Sequence, residues 1–155
     1  MFKDMPRESL YQFARRQVPC VGFNVRRATR LVTQYYDKIL APSGLRSTQY
    51  SLLNVLSLVN NLRMNDLALI LAMDRTTLTR NLRPLIKQGL IKVSTGSDRR
   101  TRLILLTTKG RDVMIKATPY WERAQAHITN HLGASNWDKV MGELHQISMI
   151  AEDGL

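Results

Sequence analysis

Residues 67–111 read LALILAMDRTTLTRNLRPLIKQGLIKVSTGSDRRTRLILLTTKGR, and the fold turns on this stretch. A short helical segment, Met64 to Ala72, begins after Arg63 and gives way to Asp74, which stands where a helix N-cap belongs. The Asp74 carboxylate is positioned to accept the orphan N–H of Thr76 or Thr77. A second helix is expected from Arg75 to Gln88, with Leu78, Leu82, Leu85 and Ile86 as its apolar stripe and Gly89 as its C′ residue. Pro84 lies inside it, removes the bond to the Arg80 carbonyl and predicts a bend. Two strand-like runs follow, Leu90 to Ser94 and Arg102 to Leu106, with Gly96 and Asp98 supplying the turn of a hairpin.

The flanks read as helical. From Pro19 to Ala41, apolar residues at Val21, Val25, Ala28, Val32, Tyr35 and Ile39 mark one face of a long helix, with Pro19 suited to its first turn. Pro42 and Gly44 break it. Ser47 or Thr48 is expected to cap a helix from Thr48 to Val59, with Tyr50, Leu53 and Leu56 inward; Asn60 and Asn61 end it. Beyond the hairpin, Thr107 or Thr108 opens a long helix with Val113, Ala117, Tyr120, Ala124, Ile128 and Leu132 at helical spacing, and Pro119 predicts a kink. After Gly133, Ser135 is expected to cap a last helix with Trp137, Val140, Met141, Leu144, Ile147 and Ala151 on one face.

The fold class is therefore mainly α with a small β-hairpin wing: a winged helix-turn-helix lobe, residues 46–110, between helical regions at 1–45 and 111–155. Long amphipathic helices at both ends carry more apolar surface than one small lobe buries. Pairing them across a two-fold axis makes a homodimer, with the end regions as the dimerisation lobe.

Charge points to the partner. The chain of 155 residues carries a formal net charge of +11. Residues 75–111 hold ten Lys and Arg against one acid, Asp98, whereas residues 112–155 are net acidic. Solvated faces mix both signs, and a nearly one-signed block of this length fits phosphate. An α-helix fits the major groove and a hairpin tip reaches an adjacent minor groove. Arg75, Thr76, Thr77, Thr79 and Arg80 occupy the start of the second helix, where Arg bonds guanine and Thr bonds base edges or touches a thymine methyl. Arg83, Lys87 and Lys92 fit phosphate contacts. At the wing tip, Asp98 is placed to hold an Arg in position, and Arg99 and Arg100 supply charge, with Arg100 entering a narrow minor groove. A symmetric dimer should read a pseudo-palindromic duplex with half-sites about one helical turn apart. Charge alone also fits a non-specific nucleoid-type protein without an effector.

The same residues resemble the MarR (multiple antibiotic resistance regulator) family. Asp98-Arg99-Arg100 resembles that family's Asp-x-Arg wing. The run Ile104 to Gly110 follows its Leu-x-Leu-Thr-x-x-Gly pattern, loosely in the strand and well at Gly110. Upstream, TRLVTQYYDKILAPSGLRSTQYSLL, residues 29–53, is similar to the family's first helix and its link to the second. The resemblance covers roughly residues 20–132. It implies a dimeric transcriptional regulator, more often a repressor, with 75–88 as recognition helix and Arg100 as minor-groove reader. It also implies a small aromatic or phenolic effector between the lobes, for which Tyr35, Tyr36, Tyr50 and Trp121 are the candidate lining, against core packing as the plainer role.

Cys20 is the single cysteine, which excludes an intramolecular disulfide framework and fits a reducing cytoplasm. It sits after Pro19 near Arg15 and Arg16, where a helix start and positive neighbours favour a reactive thiolate. Redox sensing there needs an intersubunit disulfide or a small-thiol adduct; a buried inert thiol is the alternative. His127 and His131 share a helix face, but no other ligands complete a zinc site, so no metal and no cofactor are expected. No Gly-rich phosphate loop, HExxH or nucleophile elbow points to an enzyme. No run approaches a membrane span, and the charged N-terminus lacks the apolar core of a signal peptide, so the expected location is the cytoplasm.

Overall fold

The computed structural model describes residues 19–59, 61–96 and 101–154, together with 6, 9, 10, 12 and 13. Helix α1 spans Val21–Leu40, α2 Ser47–Leu58, α3 Met64–Ile70, α4 Arg75–Lys87, α5 Thr108–Leu132 and α6 Ala134–Glu152. Strands β1 (Leu62–Arg63), β2 (Ile91–Thr95) and β3 (Arg102–Leu106) form one antiparallel sheet in the order β1-β3-β2. The expected hairpin is thus two strands of a three-stranded sheet. Strand β2 starts one residue later than expected and pairs Ile91 with Leu106 through Thr95 with Arg102.

A 3-10 turn, Ala41–Ser43, ends α1, and Gly44 takes the left-handed conformation (φ 75°) in which a Cβ is penalised. The cap of α2 differs from the expected Ser47 or Thr48. Arg46 is the N-cap residue, and its N–H donates to Gln49 Oε1 at 3.0 Å. Ser47 instead donates both its N–H and its hydroxyl to Asp37 Oδ1, each at 2.6 Å, so a carboxylate on α1 serves the start of α2. Gly133 similarly precedes α6 with no side-chain cap, and Ser135 lies inside its first turn.

Helices α3 and α4 meet at a tight turn in which Ala72 has φ 48° and the Met73 N–H returns to the Ala68 carbonyl at 2.9 Å. Leu78, Leu82 and Leu85 form the buried stripe of α4, while Ile86, expected among them, is 43% exposed. The helix continues through Pro84. It ends in a Schellman motif: Gly89 N–H donates to the Ile86 carbonyl and Leu90 N–H to that of Leu85, both at 2.9 Å, with Gly89 at φ 70°.

One buried cluster runs from Leu40 and Leu45 through Leu52, Leu53 and Leu56 to Leu67, the α4 stripe, Ile91, Ile104 and Ala117 of α5. Each fully buried leucine there stabilises the fold by roughly 1.5–3 kcal/mol. Helix α1 packs on α5, where Ala117 and Ala124 are fully buried. Helix α6 contributes no buried residue.

Candidate nucleic-acid interface

Asp74 fixes the start of α4. Its carboxylate accepts the Thr77 N–H at 2.8 Å on Oδ1 and the Thr77 hydroxyl at 2.6 Å on Oδ2. Those bonds, the hydroxyl's first, hold the Asp74 carboxyl below the ordinary aspartate range. The cap sets the first turn of α4 so that Arg75, Thr76 and Arg80 are exposed and Thr79 is half-buried beside them. With Arg83 these residues line one shallow basic depression on the outer face of α4. Lys87 and Lys92 are exposed further along, at the end of α4 and on β2.

The threonines divide. Thr77 spends its hydroxyl proton on the cap, and Thr79 donates its own to the Arg75 carbonyl at 2.7 Å. Each has only acceptor capacity left. The exposed Thr76 hydroxyl donates no hydrogen bond among the described residues. Asp98, Arg99 and Arg100 lie outside the described residues. Sequence reasoning did not single out Arg46, Arg63 or Arg102. Arg46 and Arg80 share a depression between α2 and α4, and Arg63 and Arg102 share one with Arg75. Only the β1–β3 pairing, which opposes Arg63 to Leu103, reveals the second grouping.

The four aromatics separate too. Tyr36 and Trp121 line a cleft of about 420 Å³ with Val32, Thr33, Leu71 and Met73. Tyr50 is buried, stacks on Trp121 with ring centroids 5.7 Å apart and contacts Thr118 Oγ1 at 3.2 Å, so it backs the cleft without lining it. Tyr35 turns to His127, at 5.1 Å. The Tyr36 hydroxyl bonds to Gln125, and burial, then Tyr35, push its pKa up. The His127 and His131 rings lie 4.2 Å apart, tilted by 49°, and no group of three or more His, Cys, Asp or Glu suited to a metal gathers among the described residues. Cys20 is exposed, at the N-cap of α1; Arg15 and Arg16 lie outside the described residues. No helix among the described residues is long and apolar enough to cross a membrane.

The sequence model described as MarR family matches residues 43–101, the span from the end of α1 to the wing. The crystal structure of the M. tuberculosis transcriptional regulator MosR in complex with DNA is similar over 86% of this chain and 97% of MosR, at 40% identity and a TM-score of 0.80. The chain belongs to the MarR family. Among other MarR-like relatives, the transcriptional repressor CouR, bound to a 23-mer duplex, is 27% identical over 84% of this chain and 93% of CouR, with a TM-score of 0.76. The HTH-type transcriptional regulator YwoH of Bacillus subtilis is 28% identical over 83 residues, and the match spans 61% of YwoH. MarR-family proteins are transcriptional regulators, not enzymes.

Proposed function

We propose that this chain is a sequence-specific regulator that binds a pseudo-palindromic duplex operator as a homodimer and represses transcription. The observation that carries it is the outer face of α4. Arg75, Thr76, Arg80 and Arg83 are exposed together without an acid among them, on a helix whose start Asp74 holds. In this reading α4 lies in the major groove, Arg75, Arg80 and Thr76 reach base edges, and Thr77 and Thr79 serve mainly as acceptors. Arg83, Lys87 and Lys92 contact phosphates, and Arg99 and Arg100 enter the minor groove with Asp98 ordering them. The DNA complexes of MosR and CouR support the duplex as partner. Residues 1–45 and 111–155 supply the dimerisation lobe, a role supported by the exposed apolar side chains of α1 and α6. The setting is the cytoplasm.

Release of DNA comes through a small aromatic or phenolic effector in the cleft edged by Tyr36 and Trp121, or through oxidation of Cys20. The first has support in the apolar walls of that cleft, the second in the exposure of the thiol.

The test is binding of the purified chain to duplex DNA from upstream of its own gene, against a scrambled duplex, across a salt series. Preference for the upstream duplex at physiological salt, with a steep negative salt slope, is expected. Equal binding to both duplexes at every salt concentration would replace the operator reading with a nucleoid-type role. Phenolic compounds or peroxide added to the same assay separate the two release routes.

A further inference from the structure

Beside the α4 face lies a second basic feature. Arg63 of β1, Arg75 at the start of α4 and Arg102 of β3 converge on a depression of about 200 Å³, with Asn65, Asp66 and Thr101 completing its mostly polar walls. All three arginines are exposed. Among the described residues none has an ion-pair partner, and the one hydrogen bond of their guanidiniums is from Arg102 Nη1 to Thr95 Oγ1 at 3.2 Å. Asp66 is the single acid in the depression and pairs with none of them. Three arginines lining one small space concentrate positive charge there, and an anion with several oxygens offsets that charge while offering acceptors to their planar forks.

We propose that Arg63, Arg75 and Arg102 clamp one backbone phosphodiester of the bound duplex, between the start of α4 and the base of the wing. The proposal rests on the duplex-binding reading above; it adds Arg63 and Arg102 to it and gives Arg75 a phosphate contact in place of the base edge assigned there. Arg75 lines both this depression and the outer face of α4, so the two are continuous. With α4 in a major groove, one strand's backbone forms the groove wall on this side. The clamp would set how deep α4 sits and in what register, without reading sequence.

The test compares the wild-type chain with Arg63→Gln, Arg102→Gln and, as control, Lys116→Gln on the exposed side of α5, with thermal melting to verify folding. Each arginine variant should weaken binding by the same factor on the upstream and scrambled duplexes. Each should also lower the log-log salt slope by about 1, while Lys116→Gln changes neither. An unchanged slope, or a loss confined to one base pair, overturns the clamp. A second arm needs no variant to fold: duplexes carrying one neutral methylphosphonate are walked along each strand. At the clamped position the wild type should lose affinity, and the arginine variants, where folded, should lose no more. A wild-type profile with no sensitive position overturns the proposal. So does a thermal shift with inorganic phosphate at matched ionic strength but no methylphosphonate sensitivity, which would mean a free-anion site. Failure of the wild type to bind any duplex would instead sink the proposed function itself.

Discussion

Asp74 shows how much of the candidate interface one side chain controls. Its two bonds to Thr77 determine where α4 begins, and so which residues, Arg75 and Thr76 first, occupy the exposed turn. Because those bonds favour the carboxylate, its pKa in the folded chain lies below that in the unfolded chain. The stabilisation is therefore complete above the unfolded value, about pH 4, and is lost as pH falls through the folded one. Asp74→Ala should accordingly lower the urea midpoint at pH 7 and by the same amount at pH 5, with the deficit narrowing only below about pH 4. A deficit as large at pH 3 as at pH 7 would mean that the charged cap contributes nothing. The cap was legible in the sequence because an N-cap and its acceptor lie within one turn. The unequal standing of Thr76, Thr77 and Thr79 was not, since it depends on which hydroxyl has already given away its proton.

Between elements, the junction from β3 to α5 ties α4 to the rest of the chain. Thr107 N–H donates to the Leu90 carbonyl at 3.0 Å, and its hydroxyl lies 2.8 Å from the Gly89 carbonyl and accepts the Gly110 N–H at 2.9 Å. Lys109 Nζ donates to the Gln88 carbonyl at 2.8 Å. The first turn of α5 is thereby fastened to the end of α4. That approach leaves no room at Gly110, where a Cβ would meet the Leu90 oxygen at 2.0 Å and Leu106 Cδ1 at 2.8 Å. The Thr-x-x-Gly spacing noted in the sequence thus reflects a cap and a backbone contact. Gly110→Ala should destabilise the chain by roughly 1–3 kcal/mol or more by chemical denaturation, because backbone cannot move aside as a flexible side chain does. A variant as stable as wild type would contradict the close approach. Helices of twelve or more residues were legible to within a residue or two because their apolar period repeats. Strand β1 was not: Leu62–Arg63 is too short to show a period and exists by pairing with β3. The same reason hid the grouping of Arg63 with Arg102, and the cap of α2 was hidden because Asp37 lies ten residues away on another helix.

At the scale of the whole molecule, burial within one chain is lopsided. The core reaches from Leu40 to Ala117, yet much of the face of α6 foreseen as apolar stays uncovered, with Val140, Met141 and Leu144 37–45% exposed; Ile150, outside that foreseen face, is 65% exposed. Leu31 and Val32 of α1 are about half exposed as well. Apolar side chains left this exposed are a costly surface for a solitary chain, and full burial of each such residue is worth roughly 1.5–3 kcal/mol. The basic excess sits in residues 75–111, so the chain's large positive charge is not brought into an α6–α6 contact. The wild-type chain should therefore sediment at twice its 17.8 kDa. Met141→Glu with Leu144→Glu should shift it toward the single-chain mass by placing unpaired carboxylates in the contact. The same pair should weaken duplex binding although neither residue lies near α4, because two linked half-sites are read together and a lone lobe holds only one. A variant that stays dimeric and binds normally would move the interface off α6. A wild-type chain that sediments as a monomer yet prefers a palindromic duplex would show that DNA, and not the α6 face, brings the two copies together.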